Sequence, residues 1–301
     1  MNVRVATAES ALTLPHGRVA DYFELTMPRV VLMVLVTTLA GFYLGGRAGF
    51  DVALALNLLA GTALAAGGTL ALNQYVERDT DAMMNRTRHR PLPSMRMRPA
   101  EALVFGAVAT TAGLVYLALA ANLLCAAVTA AITIVYLGAY TPLKRYTWMC
   151  NVVGAIPGAL PPVAGWAAAR GSLSWEAGIL FAIMFLWQLP HTFAVARLYR
   201  TDYARAGIHL LPQDSPRGGN ASNPVVIAAS LGLVAIGIVP VMLGFAGTPY
   251  AAIASALGLG MLGFGVAMVR SPGNARAARR LLLASLVYLP IVLLVLVLDR
   301  V

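Results

Sequence analysis

The chain has 301 residues, of which 59% are apolar and only 11% charged, with a formal net charge of +10. Soluble domains carry about 45–50% apolar and about 25% charged residues. A soluble chain of this composition could not cover its own surface, so the apolar excess points to lipid. The positive charge does not mark a nucleic-acid binder, because the basic residues sit in a few loops between apolar runs rather than on one face.

The chain opens with a segment, 1–27, that lacks an apolar core of signal-peptide length and reads as a polar cytoplasmic lead-in. A transmembrane domain, 28–301, follows. At roughly 20 residues per crossing it predicts nine helices, at about 28–46, 51–72, 99–120, 122–141, 150–168, 175–194, 224–246, 250–269 and 280–298. Three connections are long and polar: 73–98, 195–223 and 270–279. All but three of the 22 basic residues fall on the side of the N-terminus and these long connections, the exceptions being Arg47, Arg170 and Arg300. The positive-inside rule then predicts an inner-membrane protein with a cytoplasmic N-terminus and, after nine crossings, a periplasmic C-terminus. Cys125 and Cys150 lie in separate apolar segments without metal-ligand spacing and read as small buried hydrophobes.

The second crossing ends in Asn73, Glu77 and Asp81. Residues four apart drift only about 40° around a helix, so the three oxygen-bearing side chains share one face over about 12 Å. Two carboxylates and an amide suit Mg²⁺, which usually takes one or two carboxylates, waters and substrate phosphate oxygens. Asp79 falls on the opposite face and reads as a structural acid. Arg86, Arg88 and Arg90 follow at once, and arginine is the favoured fork for phosphate. Acids followed by bases are what a metal–diphosphate site needs.

The connection after the fourth crossing, TPLKRYTWMCN, holds Lys144, the only lysine in the chain, beside Tyr140 and Arg145. These are candidates to neutralise a departing diphosphate. The fifth segment, NVVGAIPGALPPVAGWAAA, carries Pro157, Pro161 and Pro162 among glycines. It reads either as a kinked ordinary span or as a broken helix lining a chamber. The sixth crossing and its loop supply Trp187, Gln188, His191, Arg197 and Asp202. His191 reads either as a structural residue or as a contact of a bound macrocycle, and Asp202 either as a second metal ligand or as an arginine partner.

The string running from Asn73 to Leu92, NQYVERDTDAMMNRTRHRPL, together with YTPLKR, PGALPPVAGW, WQLPHTF and DYARAGIHLLP, resembles the UbiA superfamily of intramembrane prenyltransferases, and within it the branch that farnesylates haem. The resemblance implies an all-α fold of nine helices around a central cavity. It implies farnesyl diphosphate and haem b as substrates, haem o and diphosphate as products, and Mg²⁺ at the cytoplasmic mouth. It further implies that Asn73, Glu77, Asp81 and Asp202 hold metal, that Lys144 acts in catalysis, and that Arg86, Arg90, Arg145, Tyr140, Trp187, Gln188, His191 and Arg197 contact substrate. A haem A synthase or a haem-copper oxidase assembly is the implied partner. Two departures stand out. Glu77 stands where the superfamily often has Asp, and Asp202 lacks an acid four residues away, where Leu198 and Ala206 stand. Another aromatic acceptor, such as 4-hydroxybenzoate, and a haem-handling scaffold without chemistry are the alternatives.

Overall fold

A computed structural model describes residues 17–46, 49–212 and 221–300. Arg4, Arg47 and Arg217, counted above for orientation, lie outside the described residues, as does most of the 1–27 segment. The helices are α1 (Arg18–Leu25), α2 (Pro28–Gly45), α3 (Val52–Ala82), α4 (Pro99–Ala120), α5 (Leu123–Val135), α6 (Thr141–Leu143), α7 (Cys150–Ala159), α8 (Pro161–Arg170), α9 (Trp175–Leu198), α10 (Arg200–Arg205), α11 (Ser222–Met242), α12 (Thr248–Arg270) and α13 (Ala275–Leu298). A π-helical turn, Tyr136–Tyr140, joins α5 to α6. Among the described residues, nine helical stretches are long and apolar enough to cross a membrane, the fourth running Leu123–Leu143 and the fifth Cys150–Arg170. Their outward faces are apolar as well, with Leu283, Leu286, Val287 and Leu294 of α13 all exposed. Lipid makes such a surface favourable.

Neighbouring helices pack in sequence from α2 through α3, α4 and α5 to the α7–α8 pair, then α9, α11, α12 and α13. Contacts between α13 and α2 close the ring. Three boundaries differ from the sequence reading. The second crossing does not stop near residue 72: α3 has 31 residues, about 46 Å at 1.5 Å per residue, against about 30 Å of hydrocarbon. Asn73, Glu77 and Asp81 therefore stand on one unbroken helix that outruns the lipid. Helix α9 likewise continues to Leu198, and α13 begins at Ala275. There the Asn274 side chain accepts from the Arg276 and Ala277 amides and starts the helix five residues earlier than hydropathy suggests.

The lead-in is not a free polar tail over its described part. Residues Arg18–Leu25 form α1, with Asp21 and Leu25 buried. Arg96 bridges Asp21 and Glu24, and the Gln74 side-chain amide donates to the Leu25 carbonyl at 2.7 Å. The segment is thus tied to the base of α3 and to the 83–98 connection.

The proline-rich fifth crossing breaks between α7 and α8 at Leu160, and it is the most buried of the nine. Its glycines serve close packing. A Cβ on Gly165 would strike the Thr38 carbonyl of α2, so only glycine lets the two backbones meet there. The Asn122 side chain donates to the carbonyls of Ala167 and Ala168 at 2.9 and 3.2 Å, which satisfies polar groups near the end of α8. Gly165→Ala should cost about 1–3 kcal/mol as an overpacked contact, read as a lower melting temperature in detergent. An unchanged melting temperature would show that α2 and α8 can separate freely.

Candidate active site

A polar seam joins α3 to the α5–α6 strand of helix. At its foot the Thr69 and Thr133 hydroxyls meet at 2.9 Å. One turn on, Thr141 Oγ1 donates to Asn73 Oδ1 at 2.8 Å, and Asn73 Nδ2 donates to Glu77 Oε2 at 2.9 Å. Next, Lys144 Nζ donates to both Glu77 oxygens, at 2.8 and 3.1 Å. At the top, Arg145 donates to Thr80 Oγ1 at 3.0 Å. The shared face of Asn73 and Glu77, expected from their spacing, is therefore the face that meets Lys144.

The π-turn aims this strand. Pro142 has no N–H to give to the Gly138 carbonyl, and the Thr141 amide turns to the Tyr136 carbonyl instead. The widened turn stacks Tyr136 and Tyr140 with ring centroids 5.3 Å apart and puts Lys144 Nζ 4.3 Å from the Tyr140 ring centre. Such π-turns concentrate at functional sites. Burial disfavours the Lys144 ammonium, but Tyr140 and the Glu77 carboxylate outweigh it and hold its pKa above that of an ordinary lysine.

Asp81 is nearly inaccessible, 2% exposed as a side chain, and accepts from Arg90 at 2.7 Å. The Thr87 hydroxyl donates to the Asp81 carbonyl at 2.9 Å, folding the 83–98 connection back so that Arg90 reaches its acid. Asp79, 81% exposed, has one ion pair among the described residues, with Arg78 at 3.7 Å, in keeping with its place on the other face. Arg86 reaches across to α10, donating to the Tyr203 hydroxyl at 3.2 Å and lying over the Tyr199 and Tyr203 rings. Burial raises the Tyr203 pKa, with Arg86 opposing. Asp202 on α10 pairs with Arg205 at 3.3 Å, as an arginine partner would.

Helices α7 and α9 form the adjoining wall. A Cβ on Gly154 would collide with the Tyr140 ring, and one on Gly158 with the Gln188 amide. Both glycines are thus absences that make room for candidate site residues. Asn151 donates to the Leu210 carbonyl at 2.8 Å, and the His209 amide donates to the Lys144 carbonyl at 2.8 Å. These bonds bind the 206–212 stretch to the seam. Trp187 and His191 face α13 instead. Trp187 Nε1 donates to the Ser285 carbonyl at 2.7 Å, and His191 Nδ1 lies 2.8 Å from the Ser285 hydroxyl. Arg197 does not join the site. It donates to the Met268 carbonyl at 3.0 Å and to Asn223, because its position on α9 points it toward α11 and α12. Tyr136, Thr141 and Asn151 are members that sequence reasoning missed. The proline after Thr141 was the available signal for the first two.

Among the described residues no three His, Cys, Asp or Glu side chains cluster as a complete metal cage. Glu77, Asp81 and Asp202 are therefore not brought together as one ligand set, and Asp202 stands apart with Arg205; Mg²⁺ usually takes one or two carboxylates with substrate phosphates completing the shell. Asn73, Glu77 and Asp81 supply such a partial set, so the residues present fit the ion. A groove of about 590 Å³ lies elsewhere, lined by residues of α12 and α13 with Arg276 and Arg280. None of the groups above lines it.

The chain is 43% identical over 289 residues to a protoheme IX farnesyltransferase of Solibacter usitatus, covering 93% of this chain and 98% of that protein. It is 43% identical over 298 residues to one from Myxococcus xanthus, covering 98% of each. Among solved structures, a digeranylgeranylglyceryl phosphate synthase superposes with a TM-score of 0.74 at 17% identity, over 93% of this chain and 98% of that one. A UbiA homolog from Archaeoglobus fulgidus, solved with DMAPP and Mg²⁺, superposes with a TM-score of 0.65 at 16% identity, over 92% and 99%. At such identities these two speak to the fold, which is that of nine helices in a ring. The UbiA prenyltransferase family pattern spans residues 34–287, and with relatives this similar along nearly its whole length the chain belongs to that family.

Proposed function

We propose that the protein transfers a farnesyl group from farnesyl diphosphate to a vinyl group of haem b, with addition of water, giving haem o and diphosphate. The observation that carries the transfer chemistry is the seam, where two carboxylates and an amide on α3 face one lysine and two arginines. The choice of haem as acceptor is supported by the relatives of 43% identity and their name.

The reaction breaks the allylic C1–O bond, and the electron pair leaves with the diphosphate. Lys144, Arg90 and Arg145 are fixed positive charges at the place where that negative charge grows, so they favour the transition state over the ground state. Their present partners, Glu77, Asp81 and Thr80, hold them in position before substrate arrives. Bound Mg²⁺ would supply Lewis acidity toward the same oxygens from the Asn73, Glu77 and Asp81 side. The vinyl π electrons attack C1. Water captures the resulting carbocation next to the macrocycle and gives up a proton. Burial of the site among helices limits the water that would quench the allylic cation too early. We further assign the α3 end of the bundle to the cytoplasm and the protein to the cytoplasmic membrane, on the charge asymmetry of the loops.

The deciding experiment offers purified protein haem b and 4-hydroxybenzoate together with labelled farnesyl diphosphate. Hydroxyethylfarnesyl haem and diphosphate are the expected products. They should vanish when divalent ions are chelated and return with Mg²⁺. Prenylated hydroxybenzoate with unmodified haem would reassign the acceptor, and no diphosphate release with either would favour a scaffold.

A further inference from the structure

The contacts of His191 go beyond packing. Ser285 is fully buried on α13, and its hydroxyl donates to the Leu282 carbonyl at 2.6 Å. A serine hydroxyl has one proton, and that bond uses it. With its proton given to Leu282, the oxygen is free to accept from His191, 2.8 Å away, which puts the imidazole proton on Nδ1. In the neutral ring this leaves Nε2 with a lone pair. Among the described residues Nε2 has no hydrogen-bond partner.

The ring is also fixed in orientation. It stacks on Trp187, with centroids 4.9 Å apart and planes 26° from parallel. Trp187 is itself held by its bond to the Ser285 carbonyl at 2.7 Å. One residue of α13 thus anchors both aromatic side chains. A histidine kept only for structure would be expected to satisfy both ring nitrogens. A half-satisfied ring, with one N–H given to a fixed acceptor and the other nitrogen bare, is how proteins prepare an imidazole to bind a metal. Depth fits as well. His191 lies seven residues before the end of α9 and Asn73 nine before the end of α3, about 10 and 13 Å at 1.5 Å per residue. Both helices end on the same side of the bundle, and the Gly154 and Gly158 face of α7 links their walls.

We propose that His191 Nε2 is the axial donor to the haem iron, and that Ser285 is the positioning residue that selects its tautomer. This rests on the haem reading above. Gripping the macrocycle by its iron holds the vinyl edge beside the diphosphate site without any covalent bond to the porphyrin.

The test uses the full chain in lipid nanodiscs titrated with haem b, read by absorption, electron paramagnetic resonance and, in the ferrous state, resonance Raman. Wild type should show an iron–imidazole stretching band. His191→Gly should lose it, and added imidazole should restore it. Ser285→Ala should shift the band and weaken haem binding by about 10–100-fold, the usual effect of removing a ligand's hydrogen-bond partner. An unaltered spectrum in His191→Gly overturns the proposal, even if turnover falls, because His191 would then act on a proton or on packing. An unaltered band and affinity in Ser285→Ala overturns the positioning role, and this variant leaves the ring itself intact. Product formation by the wild type is measured in the same preparation. Farnesylated haem with no histidine-ligated spectrum sinks only this inference, whereas neither haem binding nor product sinks the proposed function with it.

Discussion

Asp81→Asn and Glu77→Gln are each expected to lower kcat/KM by about 10²–10³-fold, the range found when one group aimed at transition-state charge is removed. Asp79→Asn should leave it nearly unchanged. The three acids lie within five residues of one another, and helical spacing puts Asp79 on the other face from Glu77 and Asp81. Asp81 is buried against Arg90, Glu77 is enclosed by Asn73 and Lys144, and Asp79 stands in solvent. Either isostere keeps an oxygen to accept from the neighbouring cation, so folded yield should persist. The measurement is single-turnover diphosphate release, with helicity as the folding control. A damaged Asp79→Asn enzyme beside an active Glu77→Gln one would mean that α3 turns another face to the site.

Lys144→Met should lower kcat by a comparable factor while haem affinity stays the same. The lysine has no route to an acceptor-side role in this structure, because its ammonium is spent between Glu77 and the Tyr140 ring. Removing it alone leaves Glu77 as a poorly compensated carboxylate, and breaking a buried pair from one side costs about 3–5 kcal/mol. A double variant, Glu77→Gln with Lys144→Met, separates the two effects. It should regain most of the lost stability and none of the lost turnover, a coupling that a double-mutant cycle reads directly. Turnover recovered in the double variant would assign the pair to folding alone.

The crossings were legible because lipid demands long apolar runs, and the run lengths leave little choice. The Asn73–Glu77–Asp81 face was legible because a helical step of four residues is local arithmetic. What was not legible depends on partners distant in sequence. Arg197 looked equivalent to Arg86 and Arg90 along the chain, yet its guanidinium is spent on the Met268 carbonyl and Asn223. The proline-broken fifth crossing left a chamber wall and a kink undecided. Part of its glycine content answers instead to the α2 backbone at Thr38. Tyr136 and Thr141 escaped notice because a π-turn alters the residue count per turn, and a fixed period cannot register that.

That turn works as a phase shifter. A π-turn is an α-turn with one residue more, and each residue of an α-helix is worth 100° of rotation. The extra residue lets the stretch before it obey the register demanded by packing against α4 and α8, while the stretch after it obeys a different register demanded by Glu77. Gly138 has open space where a side chain would be, so deleting it removes a peptide unit and no side-chain contact. It would nevertheless wind Tyr136–Tyr140 into an ordinary turn and swing Lys144 by about 100° away from its carboxylate. Enzymes of this build could thus be silenced by subtraction of the least reactive residue they possess. Any family alignment that forces a gap elsewhere in this crossing would assign Lys144 to the wrong side of the helix.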